Sequence, residues 1–301
     1  FIFRAYFAMA YGRSGPTMTN PDGVPVSAVF GFVNMLLKML NDYNAPYMAV
    51  IFDAARANFR NEIYPEYKAN RDETPEDLIP QFPLVRAATE AFDIPAIELE
   101  GYEADDLIAA YAKLAKAQGK KVVIVSSDKD LMQLVDEDVR MLDPMKGKFI
   151  GPDEVMEKFG VTPDKVVDVQ SLAGDSTDNV PGVPGIGIKT AAQLINEYGS
   201  LEELLTRAEE IKQPKRREAL IENAEMARIS QKLVKLDETA PVPVPLEELK
   251  THDPDKPDLM AFLQAQGFKS IISRLGGTVE TGNNDNVEAD SPEALPPVKD
   301  N

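Results

Sequence analysis

The chain has 301 residues, 44% hydrophobic and 27% charged, with a formal charge of −18. That is enough for a sizeable core and two domains, and no window approaches eighteen uninterrupted apolar residues, so no membrane span is expected. Cysteine is absent and the single histidine, His252, lies in the polar stretch THDPDKPD, which excludes disulfides, thiolate metal sites and cysteine nucleophiles and leaves a serine–histidine hydrolase or a histidine-rich zinc site almost nothing to work with.

The acidity argues at first against nucleic acid, because phosphate binders usually carry a basic face. Its location weakens that objection. From Gly277 onward six acids stand against Lys299, a contribution of −5, and residues 237–258 hold seven acids against Lys250 and Lys256, another −5. Acids that bind divalent ions would be offset further in the working state.

The opening residues FIFRAYFAMAYG have neither an initiator Met nor a signal-peptide plan, since Arg4 interrupts the apolar run, and the chain is expected to begin inside an element. Residues 27–40 place apolar side chains at three- and four-residue spacing and predict a helix with one buried face. YMAVIFD at 47–53 reads as a buried strand ending in Asp53. Residues 54–80 have little apolar periodicity. They interleave Arg56, Arg60, Lys68 and Arg71 with Phe59, Tyr64 and Tyr67, which suits either a solvated surface segment or a groove for a single nucleic acid strand, charge for the backbone and rings for the bases.

A helix over 81–92 and a strand around 95–99 lead to GYEADDLIAAYAKLA, where Glu103, Asp105 and Asp106 crowd the first turn of an amphipathic helix. The helix dipole accounts for one or two acids there, but three repel one another and favour a counter-cation. KVVIVS at 121–126 is a third strand-like run followed by Asp128 and Asp130. Strand, acid at its carboxyl end, then helix is the plan of a mostly parallel α/β sheet whose ligands gather at that rim. Residues 141–151 read as a turn or hairpin and 152–159 as a short helix. Helices are expected over 164–172, 191–198, 200–208, 217–236 and 258–275. Lys212, Lys215, Arg216 and Arg217 form a basic group that is either solvated surface or a duplex contact.

The stretch LAGDSTDNVPGVPGIGIKTAAQL at 172–194 brings two chemistries together. Asp175 and Asp178 sit in a polar, turn-prone run suited to a hard cation, although such residues also make ordinary loops. An EF-hand fits poorly, because a loop opening at Asp175 would place Ile186 where a glutamate belongs. Gly182, Gly185 and Gly187 then permit close backbone approach before a helix whose first turn holds Lys189 and Thr190, either a plain helix start or a phosphate site made of backbone N–H groups.

IFDAA, IYPEYKANR, GYEADDLIA, VSSDKDLMQL and the 172–194 stretch occur in that order. Together they resemble the 5′ nuclease (5′-3′ exonuclease) domain at the N-terminus of bacterial DNA polymerase I, in the flap endonuclease superfamily, over residues 1–275. The resemblance implies an α/β fold with a mixed, mostly parallel sheet flanked by helices, a helical arch at about 54–80 and a helix-three-turn-helix that holds duplex DNA. It divides the chain into a catalytic part at 1–160, a helical DNA-binding part at 161–275 and an acidic disordered linker at 276–301 toward covalently attached proofreading and polymerase domains.

It also implies roles. One divalent metal, Mg²⁺ or Mn²⁺, would lie near Asp53, Glu103, Asp105 and Asp106, and a second near Asp128, Asp130, Asp175 and Asp178. Lys68 and Arg71 would steady charge on the scissile phosphate, with Asp53, Asp128 and Asp130 also in the catalytic set. Tyr67 would stack on a displaced base, Arg4 and Arg60 would touch DNA, and Gly185, Gly187, Lys189 and Thr190 would clamp the duplex, with K⁺ beneath their backbone. The implied partners are branched or nicked duplex DNA and RNA–DNA primer junctions, met by a monomer in the bacterial cytoplasm, at the nucleoid. Members of the family start with a strand that ends in a metal-ligand Asp, and neither is found ahead of Phe1. The expectation is therefore a 5′ nuclease weakened as it stands, with a non-cleaving binder of branched DNA as the alternative.

Overall fold

The structure is a computed structural model that describes residues 6, 18–54, 57–71, 73–254 and 256–276. Arg4 and the tail beyond 276 lie outside the described residues. Helix α1 (Ser27–Asp42) buries Val29, Phe32, Val33, Leu36 and Leu37, the stripe that the sequence spacing predicts. Strand β1 (Val50–Ile51) is followed by the short α2 (Phe59–Ile63), α3 (Gln81–Ala91) and β2 (Ala96–Ile97). β1 and β2 pair in parallel, with Val50 opposite Ala96. Next come α4 (Ala104–Ala117), β3 (Val122–Val125), a 3₁₀ turn (Asp130–Leu134), β4 (Val139–Asp143) and β5 (Lys148–Ile150). β4 lies parallel to β3 and antiparallel to β5. The strands are shorter than the apolar runs that predict them, and among the described residues they form two small sheets.

One helix joins those sheets. Leu107, Ala110 and Tyr111 of α4 pack with Ile97, whereas Ala109 packs with Ile124 and the core beyond it. Because α4 is apolar on more than one face, its N-terminal turn is held between the carboxyl ends of β1 and β3.

The helical part comprises α5 (Pro152–Phe159), α6 (Val166–Ala173), α7 (Ile188–Tyr198), α8 (Leu201–Thr206), α9 (Pro214–Glu222) and α10 (Ala224–Val234). Its core joins Val169, Leu172, Ala191, Leu194, Ile195, Leu204, Leu220 and Ala227. The helix expected over 217–236 is broken at Asn223, whose amide returns to the Ala219 carbonyl at 2.8 Å and competes with the helical ladder. The helix expected over 258–275 is also two, α11 (Lys256–Ala265) and α12 (Lys269–Arg274), separated by Gly267 at φ +70°.

The last two helices pack back on the first half. Leu259, Leu263, Ile271 and Ile272 of α11 and α12 share a core with Val29, Phe32, Val85 and Ala88 of α1 and α3. The chain returns to the first half even earlier, where the Met48 N–H donates to the Leu249 carbonyl at 2.9 Å and the Tyr111 hydroxyl to the Val244 carbonyl at 2.7 Å. Residues from 240 to 272 thus pack against the α/β part.

Candidate active site

Acids from four separate stretches gather around the α4 N-terminus. Asp53 follows β1, and its Oδ1 accepts from the Ala104 N–H at 2.9 Å, capping the first turn of α4 from outside. Asp128 and Asp130 follow β3 in a tight turn in which the Asp130 N–H donates to Asp128 Oδ1 at 3.0 Å. Asp175 and Asp178 are buried in the loop after α6, where Asp175 and Val180 pair as an isolated bridge.

Charge repulsion resolves this rim into two overlapping groups. The Asp105 carboxyl is pushed well above its usual range by burial and then by Asp128, Asp53 and Glu103. The Asp130 carboxyl is pushed up to about 6 by burial and by Asp128, opposed by a hydrogen bond from Gln170. Asp175 and Asp178 raise it further. Asp128 takes part in both groups. Among the described residues no three acids converge on a single point, and protein cations pair with Glu103, Asp175 and Asp178.

Those cations come mainly from the segment at 64–71. Lys68 is at φ +58°, and its ammonium lies 2.5 Å from Glu103 and 3.7 Å from Asp178. Arg71 reaches Asp178 at 2.6 Å. The segment is strapped to the 175–180 loop by the Lys68 N–H to the Asp178 carbonyl at 2.9 Å, Asn70 to the Ser176 carbonyl at 2.6 Å and Asn179 to the Glu66 carbonyl at 2.6 Å. Lys129 pairs with Asp175 at 2.7 Å and, despite burial, holds that carboxyl below its usual range.

Three expected roles change. Asp106 is fully buried, with Arg60 forked onto both oxygens at 2.7 Å and the Glu103 and Asp237 N–H groups also donating to it. It has no oxygen facing the rim and is a structural anchor instead of a metal ligand. Arg60 is equally buried and also donates to the Leu233 and Lys235 carbonyls, so it is closed to DNA. Tyr67 packs its ring against Val180, Leu233 and Val234 and points its hydroxyl at Glu103, 3.2 Å away, so in this conformation it has no face for a base.

Three supporting residues escape sequence reading. Asn58 donates to Glu103 at 2.9 Å, Gln170 donates to Asp130 at 2.5 Å, and Lys129 holds Asp175. Lys129 is visible between Asp128 and Asp130, and Asn58 three residues before Asn61 has capping-box spacing. Gln170 gives no sequence signal, since only the fold turns that face of α6 inward.

The glycine turn behaves unevenly. A Cβ on Gly182 would lie 2.4 Å from the Gly174 nitrogen, so the two backbones touch there, and Gly185 has φ +79°. Gly187 needs no special dihedral. It precedes α7 without a side-chain cap, leaving the first-turn N–H groups beside exposed Lys189 and half-buried Thr190.

A family model described as the 5′-3′ exonuclease N-terminal resolvase-like domain matches residues 1–160, and one described as the 5′-3′ exonuclease C-terminal SAM fold matches 161–257. DNA polymerase I of Rhizobium leguminosarum is 51% identical over 282 residues, covering 91% of this chain but 27% of that protein. The 5′-3′ exonuclease of Aquifex aeolicus is 37% identical over 275 residues, covering 91% of this chain and 92% of its own. Among solved structures, the bacteriophage T5 5′-exonuclease with bound zinc superposes at a TM-score of 0.62 with 24% identity, over 78% of this chain and 90% of that one. A T5 flap endonuclease complex with DNA and metal ions superposes at 0.63 with 23% identity, over 78% and 89%. At these identities the two likenesses speak for the fold.

Proposed function

The chain belongs to the 5′-3′ exonuclease family, and from that premise we propose that it is a divalent-metal-dependent, structure-specific nuclease acting at 5′ flaps, nicks and RNA–DNA primer junctions. The observation that carries the proposal is the double group of carboxylates sharing Asp128. Crowding so many acids is costly unless a cation is part of the working state. Their donors are all oxygens, which suits hard ions such as Mg²⁺ or Mn²⁺. The buried Gln170 Oε1 beside Asp130 has no hydrogen-bond partner among the described residues, an acceptor suited to a metal-bound water.

Asp53, Glu103, Asp105 and Asp128 would hold one ion, and Asp128, Asp130, Asp175 and Asp178 the other. Such ions, when bound, supply an acidified water and neutralise charge on the leaving oxygen. The remaining work belongs to protein groups. Lys68 and Arg71 already stand at the mouth of the rim, and a phosphodiester entering there exchanges its oxygens for Glu103 and Asp178 as their partners. Asn58 keeps Glu103 oriented while this happens. The uncapped first turn of α7, with Lys189 and Thr190, gives a phosphate of the duplex backbone N–H donors and a cation. Exposed Gly185 and Gly187 let the sugar–phosphate chain come close, and K⁺ beneath those carbonyls belongs to the same proposal. The chain spans less than a third of the curated polymerase relative's length, so attachment to polymerase domains is likewise proposed.

Cleavage of an end-labelled 5′-flap duplex tests the reading. Activity with Mg²⁺ that disappears in EDTA is expected. The double variant Asp128→Asn with Asp130→Asn should lose cleavage while retaining flap binding. Cleavage that persists in EDTA would overturn the metal assignment.

A further inference from the structure

A second feature lies on the outward face of α2. Arg60 points inward from this helix, while Phe59 and Ile63, one turn apart, line an open cleft of about 290 Å³ closed on its other side by Lys232, Lys235, Leu236 and Asp237. We propose that this cleft is a subsite for one nucleotide of a single-stranded 5′ arm, its base laid on Phe59 and Ile63 and its phosphate held by Lys232 and Lys235.

Its build favours that occupant. The Phe59 ring is fixed by the Arg60 guanidinium, 4.5 Å from its centroid, and by the edge of Tyr102 at 6.0 Å. Arg60 is itself pinned to the Leu233 and Lys235 carbonyls, so both walls of the cleft hang from one buried ion pair and hold their spacing. Ile63 is 37% exposed, an apolar surface left open to water. Lys232 and Lys235 are exposed, and among the described residues neither has an ion-pair partner, in a chain of charge −18. Asp237 also lines the cleft, but its Oδ1 is turned into its own loop by the Thr239 N–H at 2.8 Å and the Thr239 hydroxyl at 2.6 Å.

An aromatic and aliphatic platform flanked by free cations matches one base with its phosphate, whereas an apolar peptide would leave both ammonium groups unanswered. The volume admits a single nucleotide and no duplex. Position agrees with this. Asn58, at the start of the same helix, bonds to Glu103 of the acid rim, so about one helix diameter, 10–12 Å, separates cleft from rim. The proposal rests on the nuclease reading only for the origin of the strand.

The test measures binding with Ca²⁺ in place of Mg²⁺, using fluorescent duplexes that carry either a single-nucleotide 5′ arm or a long oligothymidine 5′ arm. Phe59→Ala and the double variant Lys232→Ala with Lys235→Ala should each weaken long-arm binding by about fivefold or more while leaving the short-arm duplex unchanged. The lysine pair is exposed, so that variant folds even if Phe59→Ala does not. Equal losses on both arms, or unchanged long-arm affinity in the lysine variant, would overturn the subsite and leave the cleft as a protein-facing or solvated surface. If the unaltered protein binds both arms but cleaves neither in Mg²⁺, the nuclease reading fails while the arm-length comparison still decides the subsite.

Discussion

Asp105 and Asp106 are adjacent in sequence and do opposite work. The helix turn aims one at the crowded rim and the other into the protein, where Arg60 neutralises it. Removing one partner of a fully buried pair leaves the other charge uncompensated, so Arg60→Ala or Asp106→Ala should cost about 3–5 kcal/mol in urea unfolding. Asp130 behaves differently. Its folded pKa is raised to about 6 from an ordinary 3.8, so the folded state holds the proton more tightly than the unfolded one. Stability from that group is fully present below pH 4 and is lost as pH rises through 6. In EDTA, Asp130→Asn should therefore stabilise the protein at neutral pH by up to about 3 kcal/mol, the advantage vanishing toward pH 4 in a series of thermal melts. With Mg²⁺ present the order should reverse, because the charge that destabilises the free protein is the one a cation needs.

Segment 64–71 is the element on which sequence and structure differ most. Its charges and rings read as solvated surface or as a nucleic acid groove. In the structure its backbone is bound to the 175–180 loop and Tyr67 is part of a core. Nothing local encodes that docking, since its partners lie more than a hundred residues away. By contrast, α1, α5 and the β4–β5 hairpin were legible because periodicity, capping and turns are local properties. The acids after β1 and β3 were legible for the same reason, whereas Gln170, and Asn58 in its bond to Glu103, act at the site only through distant neighbours. Lys68→Ala removes a cation from the proposed phosphate position and should lower kcat on a flap by about 10²–10³, with little change in duplex affinity. Gly182→Ala would force a Cβ to within 2.4 Å of backbone at a residue with φ +63°. A drop in thermal midpoint is expected, with loss of duplex binding before loss of secondary structure by circular dichroism.

Over the whole molecule, a charge of −18 sets the terms on which it would meet the proposed polyanionic substrate. Attraction has to come from local cations and from ions held at the rim, so duplex affinity in EDTA should fall at least about tenfold below that in Ca²⁺, measured by fluorescence anisotropy at constant ionic strength. The helices α11 and α12 have a further consequence for biosynthesis. They supply Leu259, Leu263, Ile271 and Ile272 to a core begun by Val29 and Phe32, more than two hundred residues earlier. On the ribosome, the first helices must wait with a bare greasy flank until those last turns leave the exit tunnel. A nascent chain arrested before residue 256 is thus expected to stay sensitive to protease and dependent on chaperones, because the core begun by α1 and α3 is still open.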